Sequence, residues 1–327
     1  MSSVLVTGAN SLLGTNVIIE LLSRGYNVTG LLRDRRSFHY PDHENLRLIE
    51  GDIRNQNDIE AAIKNCDFVI HIAAITSQDL PRYKYYRHVN ATATQNIVSI
   101  AARQNLKRFI FISSSNAVGF GTKEKPGIES MEIRKPVSRS FYAMSKLEGQ
   151  QLALKYKDKI DVVVLSPGFM LGPWDSKPSS GRIILMGLKK IVFYPPGGKN
   201  FIHVQDAAAG VVNALNKGKN GEVYLLANEN LSYREFFRKL SDIRGRSSIY
   251  IRIPGALLSF IGIFGSLLQI FGIKTEITFT NMRILCIGNY YSGKKAETEL
   301  GLNYQSTDKS IKDAIEWFRS NNMIRPD

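Results

Sequence analysis

A strand, a glycine turn and a helix follow one another in Val4 to Gly25, VLVTGANSLLGTNVIIELLSRG, and few folds begin this way. Val4 to Thr7 reads as a buried strand, and Leu12 to about Arg24 as a helix with one apolar face. The turn between them is Gly8-Ala9-Asn10-Ser11-Leu12-Leu13-Gly14. Gly8 suits the tight turn, and Gly14 lets the helix pack closely on the strand. Ser11 holds the middle position, where the backbone of a phosphate-binding loop approaches its ligand. Its side chain is small, and its hydroxyl can donate to a phosphate oxygen. A plain strand–turn–helix would use the same glycines for the turn alone, so the downstream sequence must decide.

Downstream, apolar runs alternate with amphipathic segments. After the first helix come the strands NVTGLLR and LRLIEGD, the helix NQNDIEAAIKNC, the strand DFVIHIAA and a helix from about Val89 to Gln104. RFIFISSS, a helix over Tyr142 to Tyr156, and DVVVLSP continue the series. Strands of unbroken Val, Ile and Phe separated by helices imply a parallel sheet covered on both faces. The fold class expected is therefore α/β, a doubly wound Rossmann sheet, with a smaller and mainly helical C-terminal substrate lobe. Residues 1–170 would form the dinucleotide-binding domain and 171–327 the substrate lobe. The segment 201–227, with a helix near Gln205 to Asn216 and the strand EVYLLA, would return to the first domain.

Composition narrows the function. The 327 residues are 43% hydrophobic and 22% charged, as in a globular chain. Cys66 and Cys286 are too far apart to suggest a disulfide framework, and the five histidines form no metal-ligand spacing, so no metal is expected. The net charge of +14 is spread along the chain without a nucleic-acid-binding motif. It implies attraction to anionic cofactors or membrane surfaces and no nucleic-acid partner. No signal peptide precedes the first strand, so a cytoplasmic location is expected.

At the end of the second strand a dinucleotide fold selects its cofactor: an acid binds the NAD ribose, and an arginine accepts the NADP 2′-phosphate. NVTGLLRDRRS places Arg33 there, with Arg35 and Arg36 behind it and Asp34 keeping NAD open. NADP is the cofactor expected, with NAD as the alternative. GDIRN puts Asp52 and Ile53 at the third strand tip, near an adenine edge, and HIAA puts Ala73 and Ala74 near the middle of the cofactor.

SFYAMSKLEG then sets Tyr142 and Lys146 four residues apart at a helix start, on one face. A phenol is a poor acid–base group at neutral pH unless a nearby cation lowers its pKa, which is the role expected of Lys146. RFIFISSSNAVG ends its strand in three serines able to bind a carbonyl oxygen.

In this order, TGANSLLG, GDIRN, HIAA, ISSSNAVG, YAMSK and SPGFMLGP resemble the extended short-chain dehydrogenase/reductases, the NAD-dependent epimerase/dehydratase superfamily, over essentially the whole chain. PGFMLGPWDSKPSSG, GGKNFIHVQDAAAG and YYSGKKAETELGLNY are similar to the dihydroflavonol-4-reductase and 3β-hydroxysteroid dehydrogenase-like branch. The resemblance implies that Tyr142 is the proton donor or acceptor and that Lys146 holds the nicotinamide ribose. It selects Ser114 as the hydroxyl that orients the carbonyl, with Ser115 the close alternative. Pro167, Gly168, Phe169 and Met170 would contact the nicotinamide end, and Asn90 would support the site from a neighbouring helix. Gly8, Asn10, Ser11, Leu12, Leu13 and Gly14 would hold the pyrophosphate.

The chain also departs from the family. Ser115 and Asn116 stand where dehydratases carry Asp-Glu, which disfavours dehydration. Lys199 and Asn200 stand where sugar-nucleotide epimerases carry Arg-Asp. The function implied is a reductase or dehydrogenase moving hydride between nicotinamide and a carbonyl or secondary alcohol of a fairly apolar small molecule. A nucleotide-sugar epimerase with bound NAD and a redox-inactive dinucleotide-binding protein are the alternatives.

Ile253 to Ile273 carries no charge but contains Pro254, Gly255, Gly262, Gly265 and Gly272. The expectation is a helix broken near Gly262 or Gly265 that forms an apolar wall of the substrate pocket. The same stretch could rest peripherally on the inner face of the membrane, and a membrane span is the less favoured reading. A homodimer is the assembly considered.

Overall fold

The computed structural model describes residues 1–324. Its main sheet is built from β1 (Ser3–Thr7), β2 (Asn27–Leu32), β3 (Leu46–Glu50), β4 (Phe68–His71), β5 (Arg108–Ile112) and β6 (Asp161–Pro167). A seventh strand, numbered β10 in chain order (Val223–Leu226), completes it. The order is β10-β6-β5-β4-β1-β2-β3 and every pairing is parallel. The chain reverses direction across the sheet between β1 and β4, which is where a doubly wound fold binds its ligand.

Helices α1 (Leu12–Ser23), α2 (Gln56–Ile63), α3 (Tyr83–Arg87), α4 (Ala93–Arg103), α5 (Phe141–Leu154) and α7 (Val204–Lys217) cover the two faces. α1 buries Leu13, Val17, Ile18, Leu21 and Leu22, a single stripe at helical spacing, against β1, β2 and α7. On the opposite face Ile97, Val98 and Ala101 of α4 pack with Phe109, Phe111 and Val164. Between α3 and α4 the helix contains a π turn, His88–Thr92, where the sequence suggested one unbroken helix.

The remaining elements are β7 (Phe169–Leu171), α6 (Arg182–Gly187), β8 (Ile191–Tyr194), β9 (Gly198–His203), β11 (Glu229–Ser232), α8 (Tyr233–Arg244) and β12 (Ile249–Arg252). They are followed by α9 (Gly255–Ile270), α10 (Phe279–Ile284), β13 (Gly288–Asn289), α11 (Lys294–Leu300) and α12 (Thr307–Ser320). β9 pairs with β7, β11 and β13 in a small second sheet, so of the segment 201–227 only α7 and β10 join the main layers. A core of Ile184, Phe201, Phe236, Phe237, Leu240 and Phe318 ties α6, α8 and α12 to the second sheet.

α9 corrects one expectation. It is one continuous helix, unbroken at Gly262 or Gly265. Those glycines are contact points: a Cβ on Gly265 would lie 1.4 Å from the Ile277 carbonyl oxygen, and one on Gly262 would lie 2.8 Å from the Phe279 Cα. They let α10 and its leading turn press against α9. Among the described residues no helix is long and apolar enough to cross a membrane.

Candidate active site

Gly8 adopts φ +71°, and a Cβ there would stand 2.8 Å from the Ala73 nitrogen. Only glycine lets the end of β1 approach the segment after β4 this closely. A Cβ on Gly14 would lie 2.1 Å from the Gly8 carbonyl oxygen, so the second glycine sets how tightly α1 folds back on the loop. Ser11 has φ −84° and ψ 163°, ordinary extended backbone, and it caps α1: its Oγ accepts from the Gly14 nitrogen at 3.0 Å. The middle position here requires no glycine, and among the described residues the Ser11 hydroxyl proton has no acceptor, which leaves it to an anion. Leu12 and Leu13 begin α1, where amide protons have no intrahelical acceptor and the helix dipole is positive. The loop therefore fits a pyrophosphate.

Asn10 Nδ2 donates to Ser37 Oγ at 2.5 Å, tying the loop to the turn after β2. The arginine cluster divides there. Arg36 pairs with Asp34, whose carboxylate also accepts from the Arg36 nitrogen and is held below its usual pKa by that arginine. Arg35 reaches Asp42 at 3.8 Å. Among the described residues Arg33 has no ion-pair partner, and it is exposed. Asp52 is engaged by Arg54, which lowers its pKa to about 2, and Ile53 is half-buried against the sheet core. Ala73 donates its amide to Thr7 Oγ1 at 3.2 Å, and Ala74 follows it, half-buried.

Ser140 caps α5 and positions Tyr142 and Lys146 on the turn facing β5. Ser114 caps the short turn after β5, and its hydroxyl lies near the Tyr142 phenol. Burial raises the phenol pKa and the Ser114 contact lowers it in part. Ser115 instead lies beside Tyr291, which separates two serines that the sequence left close. Lys146 is 2% exposed; Nζ donates to the Ile112 carbonyl oxygen at 2.5 Å and sits 4.5 Å from the Phe111 ring centroid. Burial lowers its pKa to about 7. The sequence led us to expect Lys146 to lower the Tyr142 pKa. The structure differs: desolvation dominates, and the lysine's proton donor is turned to a backbone carbonyl.

Asn90, buried in the π turn, accepts from the Ile75 nitrogen and donates to the Ile75 oxygen and to Ser145 Oγ at 2.9 Å. It therefore joins the segment after β4 to α5. Sequence reasoning missed His71: fully buried, it bridges Thr7 at 2.7 Å and Thr94 at 3.0 Å, and burial and the nearby Lys146 charge lower its pKa to about 3. It is a neutral strut at the switch point. Its signal was a polar residue ending an apolar strand.

Pro167 closes β6, and a Cβ on Gly168 would lie 2.6 Å from Asn200 Oδ1. Phe169 turns its ring to Phe201, 5.6 Å away and edge-on, and Met170 packs against the α1–α7 core. Phe169 thus points into the C-terminal core. Lys199 Nζ lies 4.9 Å from the Phe169 ring centroid, and burial lowers its pKa to about 8. Asn200 is a structural knot, bonded to Asn228 and Asn230.

A cavity of about 80 Å³ opens beside Tyr142. Leu80, Tyr86 and Phe141 line one side, and Ser266, Gln269 and Asn281 line the other. The α9–α10 hairpin is stapled over it: Gln269 donates to the Leu80 oxygen at 3.2 Å and Asn281 to the Gln78 oxygen at 3.1 Å. α9 does wall this cavity, but with its polar residues, which overturns the apolar wall expected from its composition.

The family model for the NAD dependent epimerase/dehydratase family matches residues 4–227. The chain belongs to this family. It is 31% identical, over 98% of its length and 95% of the other, to a Synechocystis sp. protein described as a dihydroflavonol 4-reductase. It is 28% identical to the sterol demethylase protein B of Methylococcus capsulatus, over 98% and 99% of the two chains. The crystal structure of gox2253 superposes with a TM-score of 0.85 at 27% identity, over 99% of this chain and all of that one. The chain is an NAD(P)-dependent oxidoreductase of the extended short-chain type.

Proposed function

We propose that the protein is an NADP-preferring reductase or dehydrogenase acting on a carbonyl or secondary alcohol of a fairly apolar small molecule. One observation carries the reading: Ser114, Tyr142 and Lys146 converge at the end of β5, with Tyr142 open to the cavity under α9. The bound nicotinamide would supply or accept the hydride. Tyr142 holds the proton destined for, or taken from, the substrate oxygen, and Ser114 orients that oxygen by a second hydrogen bond. A phenol with a raised pKa stays protonated at neutral pH, which suits proton donation in the reducing direction. Lys146 would hold the nicotinamide ribose, exchanging the Ile112 carbonyl for the ribose hydroxyls.

The glycine loop would hold the pyrophosphate through Asn10, Ser11, Leu12 and Leu13. Unpaired Arg33 would meet the 2′-phosphate, while Asp34 is held by Arg36 and offers the ribose little. An apolar skeleton accords with relatives named for dihydroflavonol reduction and sterol demethylation. Lys199 stacked on a ring and Asn200 locked in the fold leave no Arg-Asp pair for a nucleotide diphosphate, so the epimerase reading lacks its anion clamp. A screen of apolar ketones followed by NADPH absorbance tests the assignment. Turnover of nucleotide sugars with none of ketones or alcohols would refute it.

A further inference from the structure

α9 is built inside out for a helix facing water. Its inner stripe carries Gly255, Ser259, Gly262, Gly265, Ser266 and Gln269, small or polar positions around one buried Leu258. Its outer face carries Leu257, Phe260, Phe264, Leu267 and Ile270, with Phe271 just beyond, all exposed. Phe260 is 59% exposed, Phe264 55% and Phe271 81%. At about 100° per residue these outer positions sweep roughly half of the helix circumference without a polar residue. The β8–β12 ribbon, which leads into α9 through Ile253 and Pro254, adds Ile191, Phe193, Ile249 and Ile251. Exposed apolar side chains in this number mark a docking face.

We propose that α9 and the β8–β12 ribbon seat the protein on an anionic phospholipid surface, with the helix lying in the interface plane. The helix, about 24 Å long, is too short to span the hydrocarbon core. It is also held mid-helix, at Gly262 and Gly265, by α10 and its leading turn, so it lies on the bilayer and does not enter it end-on. Charge selects lipid over a second copy. Arg252 and Lys274 flank the apolar stretch, both exposed and, among the described residues, without an ion-pair partner. Two copies meeting here would bring like charges together in a chain of net charge +14, whereas an anionic headgroup layer neutralises them. The polar inner stripe lines the cavity beside Tyr142, so docking would set that cavity next to the lipid. The proposal stands apart from the catalytic reading, because its test needs no turnover.

Flotation of the full chain with phosphatidylcholine–phosphatidylglycerol vesicles, against phosphatidylcholine alone, decides the matter. Co-flotation with the anionic vesicles is expected, weakened by salt and by Arg252→Ala with Lys274→Ala. Phe260→Asp with Phe264→Asp is expected to cut vesicle affinity about a hundredfold or more, because two large side chains no longer leave water. Both residues are exposed, so NADPH binding and circular dichroism should match the parent; Phe271→Asp, outside the helix, is a second variant with the same expected direction. No binding to either vesicle overturns the proposal, as does equal binding by the parent and the double variant. A dimer that these substitutions dissociate, without any vesicle binding, overturns it in favour of a second copy.

Discussion

Lys146 donates to the Ile112 carbonyl oxygen at 2.5 Å, and among the described residues no carboxylate pairs with it. The ammonium is held by one backbone acceptor, a ring face and a low-dielectric surrounding, which is why its pKa falls to about 7 from 10.5. Its neighbour His71 is neutral. The site thus holds a lysine able to lose or keep its charge near neutral pH.

That depression ties stability to pH. Between pH about 7 and 10.5 the unfolded chain keeps a proton on Lys146 that the folded chain releases, so stability rises with pH across this window. The slope from one such group is at most about 1.4 kcal/mol per pH unit. Below about pH 7 both states are protonated and the burial cost is fully present. Lys146→Met should remove this part of the slope, and Lys199 cancels in the comparison because both proteins contain it. Chemical denaturation at several pH values measures it; parallel curves for the two proteins would show that Lys146 is not depressed.

Tyr142→Phe should lower turnover by about a hundredfold to ten-thousandfold, the range for removing a positioned acid–base group. The ring packing is kept and the Ser114 contact is lost, so NADPH affinity should not change. Ser114→Ala should lower turnover less, since the phenol remains. Single-turnover NADPH oxidation on a substrate found by screening reads both. Parental rates in Tyr142→Phe would take the phenol out of the mechanism.

Arg33→Ala should narrow the preference for NADPH over NADH by about 1.5–3 kcal/mol, the scale of a charge-assisted hydrogen bond. Arg36→Ala should do less, because Arg36 is occupied by Asp34. Fluorescence titration with both cofactors gives the four constants needed. Equal affinities in the parent protein would remove Arg33 from cofactor selection.

The sheet, the glycine loop and the Tyr142–Lys146 pair were legible because each rests on local periodicity or a fixed spacing. Unbroken Val and Ile runs announced a covered parallel sheet, and four residues on a helix must share a face. Long-range packing was not legible. Which serine meets Tyr142 depends on how the turn after β5 meets α5, and nothing within ISSSNAVG specifies that. Arg33 was legible from its place at the end of the second strand, but that Asp34 holds Arg36 was not. Glycines in an apolar helix suggested breaks, yet Gly262 and Gly265 are where another backbone comes close, a fact carried by Ile277 and Phe279. The polarity of the α9 inner stripe was visible in Ser259, Ser266 and Gln269, but the apolar majority outweighed it.

Gly265 offers the sharpest test of that packing, because two effects there have opposite signs. In an exposed helix interior, glycine to alanine gains about 1 kcal/mol from helix propensity. Here the added Cβ would sit 1.4 Å from the Ile277 oxygen, so the turn that leads into α10 must move away. Overpacking of this kind costs about 1–3 kcal/mol, enough to reverse the sign. Ser266 follows directly, accepting from the Phe279 nitrogen at 2.9 Å, and with Gln269 it lines the cavity. Gly265→Ala is therefore expected to destabilise the protein and to raise KM for the carbonyl substrate more than it lowers kcat. NADPH affinity should hold, because the glycine loop is built by other elements. Thermal unfolding and steady-state kinetics give both readouts, and a variant as stable as the parent with an unchanged KM would mean that α9 and α10 are not held together as described.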